Sequence, residues 1–387
     1  MSGVADRRSV LLATGILAVV PVSSASMESH ESAAGLHDAC VAALRSAVDS
    51  YETVDLAATA AALAPLEHTT RAVPRRYRLR GQAAIDWMRL HAAVTTAAAG
   101  AAYDQGLHGE AATRADRAAA LARAAGDGPL AARALAVRAR VVRPHSPAVA
   151  LQIAGAAARI AGRSPTRAMI AGKVVSSACA ATGDVQGVRD AVSRAWATLN
   201  ELGEEAHGRP GFSLDTYSPA DLALACAEAL TTVGAADEAI PYLERASELI
   251  AGSGQIGMIV SVRMAQSRAA VARAYPDHEE AAQHAAEAVA LAARRPAEWV
   301  ARLVRDVSDL AERRTGHGFD DLVALTSAWI TDPGPLPLLD GDDAAGTGGP
   351  GLGWWFDPEE DPGAGGAGVR VRRAGEPPTV PAPRREL

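Results

Sequence analysis

A chain of 387 residues that is 49% hydrophobic but only 4% aromatic must build its interior largely from Ala, Val and Leu, small side chains that let helices approach closely. The formal net charge of -7 argues against a surface that binds nucleic acid as a whole by counterion release. Three cysteines, Cys40, Cys179 and Cys226, are odd in number, far apart and without C-x-x-C spacing, which argues against a disulfide framework or a zinc site.

The chain opens on "DRRSVLLATGILAVVPVSSASMES", and residues 1–34 read as an apolar connector or a signal-like segment. The dense apolar run covers 10–22 and is interrupted by Pro21, short of the about 20 residues a membrane-spanning helix needs, so no stable span is expected. Arg7 and Arg8 ahead of it resemble a twin-arginine export signal, with Val10 and Leu12 where that signal usually carries Phe and Lys. Export and a cytoplasmic connector both stay open at this point.

Next comes "TTRAVPRRYRLRGQ", which sets Arg71, Arg75, Arg76, Arg78 and Arg80 around Tyr77. Guanidinium forks bind phosphate or carboxylate bidentately, so this is either an anion-binding rim for a partner or a solvated connector. From about Gly35 to Ile330 helix follows helix. The segments 81–105, 110–125, 129–142, 147–161, 165–181, 185–202, 219–233, 237–251, 255–274 and 279–293 have helical length, with Gly, Pro or Asp at their edges. No alternating β-branched run competes with them.

Several of these helices share one set of offsets. Gly106, Ala111 and Ala118 are matched by Gly234, Ala239 and Ala246, and by Gly183, Val188 and Ala195; Ala150 with Ala157 and Ala281 with Ala288 repeat the last two places. Small residues two turns apart lie on one face, where a preceding helix can cross. The longest gap between anchors, from Val188 to Ala239, contains "LGEEAHGRPGFSLDTYSP", an irregular stretch with Phe212 and Tyr217 that is either a ligand loop or an ordinary connection. Residues 332–387 are Gly- and Pro-rich and are expected to be a disordered tail, in which "GWWFDPEED" has the composition of a docking motif.

Catalytic signatures do not assemble. G-x-G-x-x-G occurs twice, but in the tail, away from any strand and helix; Lys173, the only lysine, lacks a Walker A context; no G-x-S-x-G elbow is present. His278 and His284, six residues apart, stand about 240° apart around a helix and cannot share an ion. No enzyme activity, cofactor or metal is therefore expected.

The Gly, Ala, Ala offsets resemble the second helix of the tetratricopeptide repeat (TPR), whose ideal period is about 34 residues. Here the anchors Ala111, Ala150, Val188, Ala239 and Ala281 are spaced by 39, 38, 51 and 42, a long-helix version. On the preceding helices the family's apolar places fall on Ala223, Cys226, Ala227 and Leu230, and on Val175, Ser176 and Cys179, which makes two cysteines buried small hydrophobes. The resemblance implies an all-α, right-handed superhelical solenoid of antiparallel helix pairs over 35–331. Its concave groove would take a peptide or protein ligand. Arg133, Ser177, Arg263 and Gln266 on first helices, with Arg75, Arg76 and Tyr77 at the rim, are the candidate partner contacts.

Alanine-rich long repeats preceded by a "DRRSVLLATG" segment also resemble actinobacterial TPR-type regulators, which commonly carry an N-terminal helix-turn-helix domain ahead of such a connector. The sequence starts at the connector, so direct DNA binding is not part of what the resemblance implies. It implies instead a cytoplasmic regulator or adaptor of transcription or signalling, and homo-oligomerisation is open. The alternative is an exported helical-repeat scaffold.

Overall fold

A computed structural model of the chain describes residues 29–52, 55–293 and 298–331, and every regular element within them is helical. The opening apolar run with Arg7 and Arg8, and the tail with its Trp-Trp-Phe patch, lie outside the described residues. The first pair is α1 (Ser29–Asp49) and α2 (Leu56–Arg76). Helix α1 starts inside the stretch read as connector, and α2 takes in Arg71, Arg75 and Arg76, so that part of the arginine cluster is helix.

Then follow α3 (Gly81–Asp104), α4 (His108–Ala124), α5 (Gly128–Val142) and α6 (Pro147–Ala161). Helix α7 runs through Pro165–Met169, a π-helical turn Ile170–Val175 and Ser176–Ala181, and leads to α8 (Val185–Asn200). After an irregular segment come α9 (Pro219–Thr232), α10 (Ala236–Ile250), α11 (Ile256–Ala272) and α12 (His278–Ala292). Helices α13 (Glu298–Thr315) and α14 (Asp320–Thr331) end the described part. All ten segments expected from Gly, Pro and Asp punctuation are helices, with ends shifted by a residue or two at most.

The punctuation works as local chemistry requires. Gly106, Gly183 and Gly234 sit at φ of 79°, 71° and 80°, the left-handed conformation that lets the chain leave one helix and enter the next within three residues. Aspartates then cap the entering helices: Asp127, Asp184 and Asp277 accept the backbone N–H of Leu130, Gly187 and Glu280 at 3.0, 2.8 and 2.9 Å.

Each helix packs on the next, and the alanine anchors form the seams. Ala111, Ala118, Ala150, Ala157, Val188, Ala195, Ala239, Ala246, Ala281 and Ala288 are all at 0% exposure, so every alanine and valine anchor of the repeat offsets is fully buried. All three cysteines are free and buried, and burial pushes the thiol pKa of each upward.

The odd-numbered helices also touch one another in sequence, α1 to α3, α3 to α5 and so on to α13, whereas the even row meets chiefly at α12 and α14. In α7 the π turn surrounds Gly172, where an added Cβ would stand 2.2 Å from Leu222 Cδ1 and 3.1 Å from Ala195 Cβ. Only glycine admits α9 that closely, and the extra residue of the turn lets α7 keep both neighbours.

Candidate functional site

Residues 201–218 pass over the odd-numbered helices, and polar side chains from several elements collect on them. The segment begins with a 3₁₀ turn, Glu204–Ala206, and closes on itself where Tyr217 N–H donates to Ala206 O at 3.1 Å. Ser218 ends it by capping α9, accepting Ala220 N–H at 3.1 Å. Between these ends the chain is held by side chains from far away in sequence.

Arg133 on α5 is 6% exposed and spends its guanidinium on this segment. It donates to the carbonyls of Ser213 and of Thr216, the latter at 2.7 Å, while Nε reaches Thr166 Oγ1 of α7 at 3.4 Å. Burial lowers its pKa to about 10, so it stays charged at neutral pH; Asp215, Tyr217 and Asp221 oppose the shift. Two carboxylates take the N–H groups one step earlier: Asp221 of α9 accepts from Gly211 at 2.9 Å and Glu52, after α1, accepts from Phe212 at 3.2 Å. Burial raises the Asp221 pKa to about 7, against the pull of Lys173, the Gly211 N–H and Arg133, and with Glu52 adding to the rise.

Side-chain seats complete the hold. The Phe212 ring stacks on Tyr51 with centroids 4.6 Å apart and planes at 21°. Its edge lies over Gly100 of α3, where a Cβ would come within 3.3 Å of Cε2. Leu214 packs with Ala92, Leu130 and Ala131, and Arg209 pairs with Asp49 at 2.6 Å. Tyr51 is itself fixed, donating to Asp104 Oδ2 at 2.7 Å, and Arg140 lies 4.1 Å over the Tyr103 ring beside it. Tyr217 Oη is buried without a hydrogen-bond partner among the described residues.

Glu52 reaches not only the segment but also the start of α11, where an added Cβ on Gly257 would be 2.6 Å from Glu52 Oε2. The corner after α1 and the α11 N-terminus, some two hundred positions apart, are therefore neighbours. The segment thus lies against side chains of α3, α5 and α9 and of the corner after α1.

The residues read from the sequence as partner contacts fall in four places. Arg133 is buried and its guanidinium is used within the chain. Arg263 and Gln266 are brought together on α11: Arg263 donates to Gln266 Oε1 at 3.0 Å and pairs with Glu287 of α12 at 3.0 Å, and Gln266 donates to Ser247 Oγ of α10 at 3.2 Å. Their side chains thus turn toward the even helices. Ser177 is half-buried and its hydroxyl donates to the carbonyl of Lys173, one turn back in its own helix.

Arg75 and Arg76 are exposed at the end of α2, and Tyr77, half-buried against the N-terminal core, donates its N–H to Val73 O at 3.0 Å. Arg78 follows at φ of 50°. Near them His91 of α3 is buried and neutral. Thr70 Oγ1, which donates to Leu66 O at 2.8 Å, is 2.8 Å from Nδ1, and Arg117 is 3.2 Å from Nε2. That pattern puts the ring proton on Nδ1. Burial, then the charges of Arg117, Arg71 and Arg75, lower its pKa to about 4.

His284 lies between Glu280 and Glu287 at 3.9 and 4.0 Å, and His278 faces Phe319 at 5.1 Å. Among the described residues no group of three or more His, Cys, Asp or Glu has metal-binding geometry, and no helix is long and apolar enough to cross a membrane. Compared with known proteins, the chain matches no family model, no curated protein and no solved structure.

Tyr51, Glu52, Gly100 and Asp221 were not legible as site residues. Gly100 alone carried a signal, a glycine inside an alanine-rich helix where it costs about 1 kcal/mol relative to Ala. Asp221, in the first turn of α9, reads from sequence as a helix-dipole carboxylate.

Proposed function

We propose that this chain is a non-catalytic, TPR-like binding protein that takes a peptide or protein partner on the face of its odd-numbered helices, as a regulator or adaptor of transcription or signalling. In this reading the odd row is the inside of a right-handed superhelix. The continuous contact along that row, against the sparser even row, supports it. The resemblance of the repeat offsets to TPR regulators supports the class of work, and partner binding needs none of the chemistry that an enzyme would.

One observation carries the reading: a non-helical stretch of polypeptide already sits on that face, gripped through its main chain by Arg133, Asp221 and Glu52. Main-chain recognition by fixed side chains is how helical-repeat surfaces hold extended peptides. Panning a displayed random-peptide library against the full chain tests it. Recovered peptides should slow amide hydrogen exchange in α3, α5, α7 and α9. Recovery of none, or protection confined to the even helices, ends the reading.

A further inference from the structure

Resting on that reading, we infer that segment 208–216 is a built-in occupant of the binding face, and that the partner is a peptide with an aromatic-x-aliphatic pair that takes the seats of Phe212 and Leu214.

Three features separate this segment from an ordinary connection. Its contacts are made one by one with side chains of several distant elements, residue 49, residue 52, α3 and α5, as well as with Asp221 of α9, the helix it leads into. Its backbone offers donors at 211 and 212 and acceptors at 213 and 216, and each meets a charged side chain. Such contacts read the main chain, so a peptide of other sequence that follows the same backbone path can satisfy them. Selectivity then lies in the two apolar seats. The first is the slot between Tyr51 and Gly100, open to a flat ring because position 100 has no Cβ; the second is the patch of Ala92, Leu130 and Ala131. The two seats are two residues apart along the segment, which sets the aromatic-x-aliphatic spacing.

The ends of the segment are built for exchange. Gly211 at φ of 103° and Pro210 before it make the bend by which Phe212 enters, and Gly208 precedes them. Tethering gives the segment an effective concentration of roughly millimolar order, so a partner competes with it and does not fill an empty site. Weak binding by the intact chain and strong binding by a chain whose own occupant is disabled is the signature of that competition.

The test uses a fluorescein-labelled peptide of the sequence GRPGFSLDTY and the full chain carrying Phe212→Ser with Leu214→Ser. Fluorescence anisotropy should show this variant binding the peptide at least ten-fold more tightly than the unmodified chain. A control peptide with Ser in place of its Phe and Leu should not bind, and adding Gly100→Val to the variant should abolish binding with the helical circular dichroism retained. A helical variant that binds neither better than the unmodified chain nor selectively overturns the inference.

If the variant does not fold, the unmodified chain serves: several millimolar peptide should speed amide exchange at 209–216, and no change there overturns the inference. Library peptides that protect the odd helices but lack the aromatic-x-aliphatic pair also overturn it, while leaving the proposed function standing. Failure to recover any peptide removes both.

Discussion

The seams between helices and the segment that covers the odd-numbered helices are built by opposite means. The seams are repeated, apolar and local: alanines two turns apart at 0% exposure, each set specified within one helix. The cover is unique, polar and long-range, with Arg133, Asp221 and Glu52 reaching a segment that no repeat contains. Close-packed seams tolerate no added volume, whereas a cover held by a few charged hydrogen bonds can be released without melting what lies beneath.

The largest effect should come from overfilling a seam. Ala157→Leu in α6, at a position with no free volume, should cost about 3 kcal/mol, read as a lower urea midpoint for the whole array. Arg133→Met should cost roughly 2–3 kcal/mol, because it leaves the carbonyls of Ser213 and Thr216 without their donor. This loss should be local: chymotryptic cleavage at Phe212 should quicken while amide exchange in α4 and α6 keeps its rate. Equal loosening of seams and cover would remove the distinction between them.

The pH dependence of the two regions should run in opposite directions. Asp221 has a folded pKa of about 7 against an ordinary 3.8, so folding takes up a proton between those values. Its contribution is largest near pH 4 and is lost as pH rises through 7. His91 in the α2–α3 seam is lowered from 6.5 to about 4, so its contribution is present above pH 6.5 and is lost as pH falls toward 4. Melting temperatures of Asp221→Asn, set against the unmodified chain from pH 5 to 8, should gain at the alkaline end. His91→Gln should flatten the loss between pH 6.5 and 4. The smallest effect is expected of Tyr217→Phe: removing a buried hydroxyl without a partner should raise stability by up to about 1 kcal/mol, measured by urea unfolding.

The same contrast decides what the sequence could tell. Helix ends and crossing points were readable because Gly106, Gly183 and Gly234, the capping aspartates and the alanine pairs act within a few residues. The segment at 201–218 stood out only as a departure from the repeat spacing. Its partners are separated from it by up to 160 positions and share no motif with it, so ligand loop and connector could not be told apart. The direction taken by Arg263 and Gln266 was not legible for a simpler reason. Nearly every side of α11 is apolar or small, so its sequence does not mark which side faces the odd row.

The proximity of Glu52 to the α11 N-terminus bears on how the molecule comes apart. In an open stack the terminal units fray first and independently, because each senses only its immediate neighbours. Here the corner after α1 is fastened to the middle of the chain and stands beside Gly257, so the first pair cannot peel away without disturbing units far down the line. Unfolding should be shared around a loop of mutually dependent parts, and cutting that fastening should turn one sharp transition into a succession of shallow ones.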